Sequence, residues 1–224
     1  MDETLNQFRV IPCATPAEMD ELWAQGWRHF GTQFFRYASS RYNEQPVRVL
    51  PLRIDLPKFL PCRSQRRVLK RNVDVRVEFR QATIDAEREI MFDKHRSRFK
   101  ENVPDSLLDF LSSAPARIPC EALECRLLIN DRLFGIGYFD VGREAVSAVY
   151  SMFDPADSER SPGIKLILEE IHWATEHDFR YFYLGYCYDR RSFYDYKKRF
   201  AASEYLDWRT MRHVPFRPSD DATD

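Results

Sequence analysis

The fold of this chain is decided by residues 147–200, in which two strand-like runs enclose a loop and a helix. The first run is Ser147-Ala-Val-Tyr-Ser-Met-Phe-Asp-Pro155, the loop is Glu159-Arg-Ser-Pro-Gly163, and Tyr183-Leu-Gly-Tyr186 and Tyr196-Lys-Lys-Arg-Phe200 close the stretch. Apolar residues recur between the loop and the second run at helical spacing, namely Ile164, Ile167, Leu168, Ile171 and Ala174. This spacing predicts a crossover helix with one buried face.

The start of that helix is suited to an anion. We expect Ser161 to cap the helix, and Pro162 suits the first helical position, where no amide hydrogen is needed. Amides near Gly163 would then be unpaired at the positive end of the helix dipole, where a phosphate or an oxyanion is stabilised. An ordinary capped helix without a ligand fits the same spacing, so both interpretations stay open.

Three strand-like runs precede the loop, and short turns join them. The runs are residues 123–129, 133–141 and 145–153, and the turns are Asn130-Asp131 and Gly142-Arg143-Glu144. This pattern predicts an antiparallel meander. Residues 181–186 follow the crossover helix, so we expect them to pair in parallel with the third run. The fold class is therefore predicted to be α+β.

The first half of the chain predicts a smaller lobe. Thr15 and Pro16 begin a helix that Gly26 ends, and residues 47–56 form a strand that Pro51 places at an edge or a bulge. Residues 73–80 predict a further strand, and residues 85–100 a surface helix. The predicted organisation is an N-terminal α/β lobe at 1–72, a main domain at 73–214 and a disordered tail at 215–224.

A basic stripe lies at the end of the predicted lobe. Its cations share one face of a helix and are Arg63, Arg66, Arg67, Lys70 and Arg71. Like charges at this spacing repel one another, and no acidic residue lies within the run. A phosphate backbone would explain the stripe. The alternative is a solvated face that acids elsewhere in the fold partner.

Composition limits the classes of partner. The 34 basic and 35 acidic residues nearly cancel, so a nucleic acid would have to be held by a local patch. No apolar run of transmembrane length and no signal-like N-terminus occurs, which predicts a cytoplasmic protein without a membrane partner. The five cysteines show no Cys-x-x-Cys pair, so we expect reduced thiols and no metal.

The predicted order of elements resembles the GNAT acyltransferase fold. Members that use acetyl-CoA carry Gln/Arg-x-x-Gly-x-Gly/Ala in the loop before the crossover helix. The corresponding residues here are Arg160-Ser-Pro-Gly163-Ile-Lys165, with a lysine in place of the last small residue. The CoA signature is therefore only half present.

Three blocks resemble those of the aminoacyl-tRNA–protein transferases, the arginyl- and leucyl-transferases of the N-degron pathway. The first block is Pro61-Cys-Arg-Ser-Gln-Arg-Arg-Val-Leu-Lys-Arg-Asn72, similar to the family's Ser-Arg-Ser-Gln-Arg-Arg-x-x-x-Arg-Asn. The second is residues 147–155 with Arg160-Ser-x-Gly163, and the third is residues 183–186 with Tyr196-Lys-x-Arg-Phe200. In this order, the blocks span most of the chain.

The chain departs from the family at one clear place. Where the family has a Cys-x-x-Cys-x-x-Cys type of cluster, this chain reads Tyr37-Ala-Ser-Ser-Arg-Tyr-Asn-Glu-Gln45. No metal or iron–sulfur centre can be made from those residues. The residues after the final Phe are also altered, to Ala201-Ala-Ser-Glu204.

The resemblance implies transfer of an arginyl or leucyl group from charged tRNA to the α-amine of a protein or peptide that begins with Asp or Glu. The implied reaction needs no cofactor beyond the aminoacyl-tRNA co-substrate, and we expect no DNA partner. The implied donor-binding residues are Arg160, Ser161, Gly163 and Lys165, and the acceptor-binding residues are Lys197 and Arg199. The implied catalytic residues are Tyr150, Asp154 and Tyr186, and the basic stripe would bind tRNA.

Three other functions fit the same residues. One is an acetyl-CoA-dependent N-acetyltransferase, and the second is a non-catalytic reader of acidic N-termini. The third is a related transferase that aminoacylates another acceptor. Individually, each site residue also has an ordinary structural explanation, such as a core tyrosine for Tyr150 and Tyr186, a turn former for Asp154 and a surface charge for Lys197.

Overall fold

The computed structural model describes residues 5–100 and 103–216 of the 224-residue chain. Within these residues the α-helices are α1 (Pro16–Ala24), α2 (Arg63–Arg71), α3 (Ala86–Arg96) and α4 (Pro162–Glu176). The strands are β1 (Asn6–Val10), β2 (Arg28–Phe30), β3 (Gln33–Tyr37), β4 (Ser39–Tyr42), β5 (Gln45–Asp55), β6 (Arg76–Gln81), β7 (Ala122–Ile129), β8 (Arg132–Val141), β9 (Ala145–Phe153), β10 (Tyr181–Tyr188), β11 (Ser203–Asp207) and β12 (Arg212–Pro215).

Two sheets organise the chain. The large mixed sheet has the order β12-β11-β5-β10-β9-β8-β7-β6, with β4 paired to β5. A small antiparallel sheet has the order β1-β3-β2, and Phe34 of β3 shares a buried cluster with Met19 and Trp23 of α1. This arrangement confirms the predicted α+β class, because an antiparallel meander and one parallel pair share the large sheet.

The predicted meander and crossover are both confirmed. Strands β7, β8 and β9 pair antiparallel in chain order, and β10 pairs parallel with β9 after α4. Asn130 and Asp131 both adopt positive φ, at 49° and 62°. Two successive positive φ angles match the right-handed twist of a hairpin, and Asn and Asp tolerate them better than most residues.

Helix α4 covers the centre of the large sheet. Its apolar face is buried as predicted at Ile167, Leu168, Ile171 and Ala174, whereas Ile164 is only partly buried. Burial of a side chain such as Ile171 contributes about 1.5–3 kcal/mol. None of the described helices is both long enough and apolar enough to cross a bilayer.

Strand β5 corrects the prediction for the first half of the chain. It lies inside the large sheet between β10 and β11, so the sheet extends across the boundary predicted between residues 72 and 73. Pro51 still has only one strand neighbour, because β11 pairs with residues 52–54 and β4 with residues 45–48. A proline is tolerated there because no ladder bond on that side needs its missing amide hydrogen.

Two other predictions need correction. Helix α3 is not a pure surface helix, since Arg88, Met91, Phe92 and His95 are buried. Residue 215 belongs to β12, and the Phe216 amide donates to the Ser203 carbonyl at 2.8 Å, so the ordered chain continues past the predicted start of the tail. The rest of the predicted tail, residues 217–224, lies outside the described residues.

Candidate active-site cleft

The parallel strands β9 and β10 separate soon after they meet. They pair only at residues 145–147 with 181–183, and beyond this point β9 keeps its pairing with β8 and β10 keeps its pairing with β5. The two inner edges therefore diverge and leave backbone groups without a strand partner. We call the space between them the cleft. Tyr150 lies on its β9 side and Tyr186 on its β10 side.

Lys197 lies in this cleft on the β10 side. Its segment follows β10 as a short 3₁₀ helix, Phe193–Arg199, and its ammonium donates to the Tyr186 carbonyl at 3.2 Å. Gly185 has φ +87°, and a Cβ there would lie 3.1 Å from Lys197 Nζ. Glycine is therefore required both by the backbone angle and by the close approach of the ammonium.

Burial lowers the pKa of Lys197 to about 8, and the nearby positive charge of Arg28 also lowers it. Arg28 lies on β2, is 7% exposed, and places its guanidinium 5.0 Å from the centre of the Tyr183 ring. Sequence reasoning missed Arg28. A single arginine among the aromatic residues of 27–35 forms no periodic pattern. The alternation of a strand also does not predict which residues from elsewhere in the fold will pack over a given side chain.

The two predicted catalytic tyrosines have different surroundings. The Tyr186 hydroxyl donates to the Gly26 carbonyl at 2.6 Å and so links β10 to the turn after α1. The Tyr150 hydroxyl is buried and has no partner among the described residues, while its ring stacks on Phe110 at 4.0 Å. Burial raises the pKa of Tyr150 to about 12. The Tyr150 hydroxyl therefore keeps its proton at neutral pH and can donate a hydrogen bond.

Asp154 is occupied by structural contacts. Its carboxylate accepts from the Ala156 amide at 3.1 Å and from the Lys94 ammonium at 2.8 Å. The Lys94 hydrogen bond is the main cause of a lowered pKa for Asp154. These contacts match the turn-former interpretation, and a carboxylate with a lowered pKa is a weak general base.

The loop before α4 differs from the predicted cap. Ser161 adopts a left-handed conformation with φ 57°, and its side chain makes no cap. Its carbonyl accepts from the Ile164 and Lys165 amides at 3.1 and 3.0 Å, as the carbonyl of an N-cap residue does. The Gly163 amide is therefore the one amide of this turn that finds no acceptor in the described part of the chain.

Two of the predicted donor-binding side chains are already paired. The Arg160 guanidinium forms a two-pronged ion pair with Asp74 at 2.8 and 3.0 Å, and this contact raises the pKa of Arg160. The Lys165 side chain is buried and pairs with Glu169, four residues along α4. Their roles in donor binding stay predictions.

The basic helix and the loop are brought together. Helix α2 packs beside α4, and the Asn72 side-chain amide donates to the Arg160 carbonyl at 2.9 Å while Arg71 donates to the Glu159 carbonyl. All five cations of the stripe are exposed, and none forms an ion pair with a described carboxylate. Arg199 is also exposed, and its carbonyl accepts from Gln65 of α2. The cationic surface thus adjoins the loop that leads into α4.

One group of described residues has the side chains of a metal site. His29, Cys120 and Asp140 are buried, with ligand atoms within 4.8 Å of one another. The His29 Nε2 lies 2.7 Å from the Asp140 carboxylate, and His29 Nδ1 lies 2.8 Å from the Gly31 carbonyl. A separation of 2.7 Å is that of a hydrogen bond, so these groups satisfy one another directly. The expected absence of a metal stays a prediction.

Comparison with known proteins shows that the chain is similar to one family of proteins. Residues 81–207 match the family model described as the C terminus of arginine-tRNA-protein transferase. A protein of Leptospira interrogans named aspartate/glutamate leucyltransferase is 28% identical over 210 residues, which cover 90% of this chain and 80% of that protein. One of the same name from Saccharophagus degradans is 32% identical over 173 residues, covering 74% and 70%.

The fold also matches a solved structure. L-PGS from Bacillus licheniformis superposes with a TM-score of 0.50 and 13% sequence identity, covering 79% of this chain. The match spans about half of that protein, 52% of its length. At this identity the likeness concerns the fold alone.

Proposed function

The chain belongs to the aminoacyl-tRNA–protein transferase family, and from this premise we propose that it moves an aminoacyl group from charged tRNA to the α-amine of a protein that begins with Asp or Glu. We propose leucine as the donor amino acid, because the two relatives described above are named leucyltransferases. The observation that carries the proposal is the junction of α2 with the loop before α4. It joins an unpaired cationic surface to the cleft where β9 and β10 diverge.

The cationic surface supports tRNA as the donor. Several cations in a line match the spacing of a phosphate backbone, and each neutralised phosphate releases a counterion. The five exposed side chains of α2 have no competing carboxylate among the described residues, so their charge is available. In this proposal the acceptor stem lies along α2, and its 3′ end passes the loop and enters the cleft.

The chemistry needs positioning more than covalent catalysis. The aminoacyl ester is already activated, so the acceptor amine attacks its carbonyl directly, the terminal ribose hydroxyl leaves, and one proton passes from the amine to the leaving oxygen. Holding amine and carbonyl about 3 Å apart supplies much of the rate enhancement. The free Gly163 amide, at the positive end of α4, is placed to stabilise a phosphate or an oxyanion.

The cleft residues divide the remaining roles. The free hydroxyl of Tyr150 donates to the ester or orients the attacking amine, and Tyr186 holds the cleft wall through its bond to Gly26. Lys197 binds the acidic side chain of the acceptor. Asp154, already paired with Lys94, shapes the turn after β9, and Arg199 adds charge next to α2.

One incubation tests this function. The full chain is mixed with leucyl-tRNA or arginyl-tRNA and with peptides that begin with Asp, Glu or Asn, and the products are read by mass. We expect the Asp and Glu peptides to gain one leucyl residue, and the Asn peptide to gain little. Free leucine with uncharged tRNA is the control. Gain of an arginyl residue would reassign the donor amino acid.

Two results would contradict the proposal. Acetylation of a peptide by acetyl-CoA, without transfer from either charged tRNA, would indicate an N-acetyltransferase. Binding of acidic peptides without any turnover would indicate a reader of acidic N-termini.

A further inference from the structure

Arg28 carries a buried positive charge without a carboxylate partner. The side chain is 7% exposed, and its Nη1 donates to the neighbouring Trp27 carbonyl at 3.2 Å. Its Nε and Nη2 are buried and have no hydrogen-bond partner among the described residues. A guanidinium offers five donors, and here the side that would form a two-pronged contact is unused.

The surroundings of Arg28 do not neutralise it. The guanidinium lies against two rings, 5.0 Å from the centre of Tyr183 and 5.9 Å from that of Tyr186. Asp140 is the acid whose field reaches Arg28, but its Oδ2 is held by His29 at 2.7 Å. Lys197, a partly buried cation of the region, adds a like charge. Arg28 and Lys197 thus lie on the β10 side of the cleft, and neither has a carboxylate partner among the described residues.

This arrangement is unfavourable for the protein alone. One carbonyl and two aromatic rings replace only part of the hydration that the buried guanidinium loses, and the like charge of Lys197 adds to the cost. Stability alone does not explain Arg28, because replacing a buried unpaired charge by an apolar side chain of similar volume is often neutral or stabilising. A ligand that brings a negative charge supplies the reason.

The ligand is a carboxylate rather than a polyanion. A planar guanidinium with one free edge matches the two oxygens of a carboxylate, with two parallel hydrogen bonds. The free edge of Arg28 is buried beside the rings of Tyr183 and Tyr186 and is a single pair of donors. A tRNA backbone needs an exposed row of cations, and α2 already supplies one.

We propose that Arg28 binds the side-chain carboxylate of the acceptor's N-terminal Asp or Glu, with Lys197 on the same carboxylate and the rings of Tyr183 and Tyr186 as its walls. This rests on the proposed function and adds to it the residue that selects acidic acceptors. Tyr186 lies at once beside Arg28 and on the cleft edge, so a carboxylate on Arg28 places the attached α-amine toward the cleft.

The test replaces Arg28 by methionine and compares two peptides that differ only in an N-terminal Asp or Asn. For the natural protein we expect a strong preference for Asp. In Arg28→Met we expect kcat/KM for the Asp peptide to fall at least tenfold, mainly through KM, while kcat/KM for the Asn peptide changes little. Arg28→Lys should keep part of the preference, because it keeps the charge but loses the two-pronged geometry.

Stability provides the second readout. If Arg28 serves a ligand, Arg28→Met removes an unpaired buried charge, and the Tm without peptide should be unchanged or higher. Arg36→Met is the matched control, since Arg36 lies on the adjacent β3 and already bonds Gln7 and the Gln25 carbonyl at 2.9 and 3.0 Å. We expect Arg36→Met to keep the preference for Asp.

Each contrary result is distinct. Retained preference for Asp in Arg28→Met would overturn this inference and leave the proposed function intact. A Tm well below that of the natural protein, or failure to fold, would show that the fold itself needs the charge and would also overturn it. Absence of transfer in the natural protein would contradict the proposed function. Calorimetry with the Asp peptide then decides the inference separately, and equal affinity for both proteins would sink it.

Discussion

Lys197 Nζ lies 3.2 Å from the carbonyl oxygen of Tyr186, on a strand edge that has lost its parallel neighbour. An unpaired carbonyl inside a protein is costly, and the ammonium satisfies it. The same contact fixes a cation in the cleft. Divergence of two strands has thus created both the space for a ligand and the position of a charged group next to it.

Binding of an acidic peptide should weaken above pH 8. The pKa of Lys197 is lowered to about 8 by burial, so its ammonium is charged below that pH and neutral above it. Loss of the charge removes its attraction for the acceptor carboxylate. Titration calorimetry with an Asp peptide on either side of pH 8 measures the effect. We expect Lys197→Met to bind the peptide more weakly than the natural protein below pH 8, and both proteins to bind it equally above pH 8.

The neighbouring lysine is the control for that result. Lys198 pairs with Asp195 at 2.7 Å, so Lys198→Met should leave the pH dependence of binding unchanged. The same pH dependence in Lys197→Met would mean that another group, such as the α-amine of the peptide, causes it.

Gly185→Ala should reduce both stability and activity. At φ +87° an L-residue is strained by about 1–2 kcal/mol, and the new Cβ would come within 3.1 Å of Lys197 Nζ. We expect a lower free energy of unfolding in denaturant titration and a displaced ammonium, seen as a higher KM for the acidic peptide. A variant with unchanged KM would show that the Lys197 position is not needed for the acceptor.

Removal of cations from α2 should weaken tRNA binding and its dependence on salt. Each lost phosphate contact lowers the slope of log affinity against log salt by about 0.7–0.9. Arg66, Arg67 and Lys70 changed together to Ala should therefore flatten the slope by about 2–3, measured by filter binding over a range of salt concentration. Arg117, Arg143 and Arg209 are exposed but lie outside α2, so their triple Ala variant should bind normally.

The two cleft tyrosines should separate stability from activity. Tyr186→Phe removes the donor to the Gly26 carbonyl and should cost about 1 kcal/mol in the free energy of unfolding. Tyr150→Phe removes a hydroxyl without a described protein partner, so its stability should be unchanged or higher. If that hydroxyl serves the ligand, transfer by Tyr150→Phe should slow in single-turnover assays, and normal rates would remove Tyr150 from the mechanism.

The free energy of unfolding of Glu170→Gln should rise relative to that of the natural protein as pH rises. Burial raises the pKa of Glu170 well above 4.5, so the folded state keeps a proton that the unfolded state releases. The contribution of Glu170 to stability therefore falls as pH rises above 4.5, by about 1.4 kcal/mol per pH unit until the folded carboxyl ionises. The variant cannot ionise. Exposed Glu176→Gln is the control, and equal pH dependence in all three proteins would contradict this assignment.

The predicted side-chain cap at Ser161 is wrong, and it shows why local sequence patterns fail at the site. Serine before Pro162 and Gly163 is a normal capping sequence, yet the residue is left-handed and its side chain makes no cap. The preceding 3₁₀ turn, residues 155–160, and the bond from Asn72 to the Arg160 carbonyl determine how the chain enters α4. Capping rules describe neighbours in sequence, and this contact comes from another helix.

The sequence by itself determined the meander, the crossover helix, the parallel strand and the cationic face of α2. Each of these elements is indicated by the spacing of apolar or charged residues, or by turn residues, within a short stretch of sequence. Such spacing follows directly from the geometry of helices, strands and turns. Only the tertiary structure decided that Arg28 is buried against Tyr183 and Tyr186. It also decided that Asp154 is hydrogen-bonded to Lys94, and that Lys197 binds the free Tyr186 carbonyl at the edge of β10. These depend on which side chains meet across the fold, and burial and electrostatic fields follow from that meeting rather than from any local pattern.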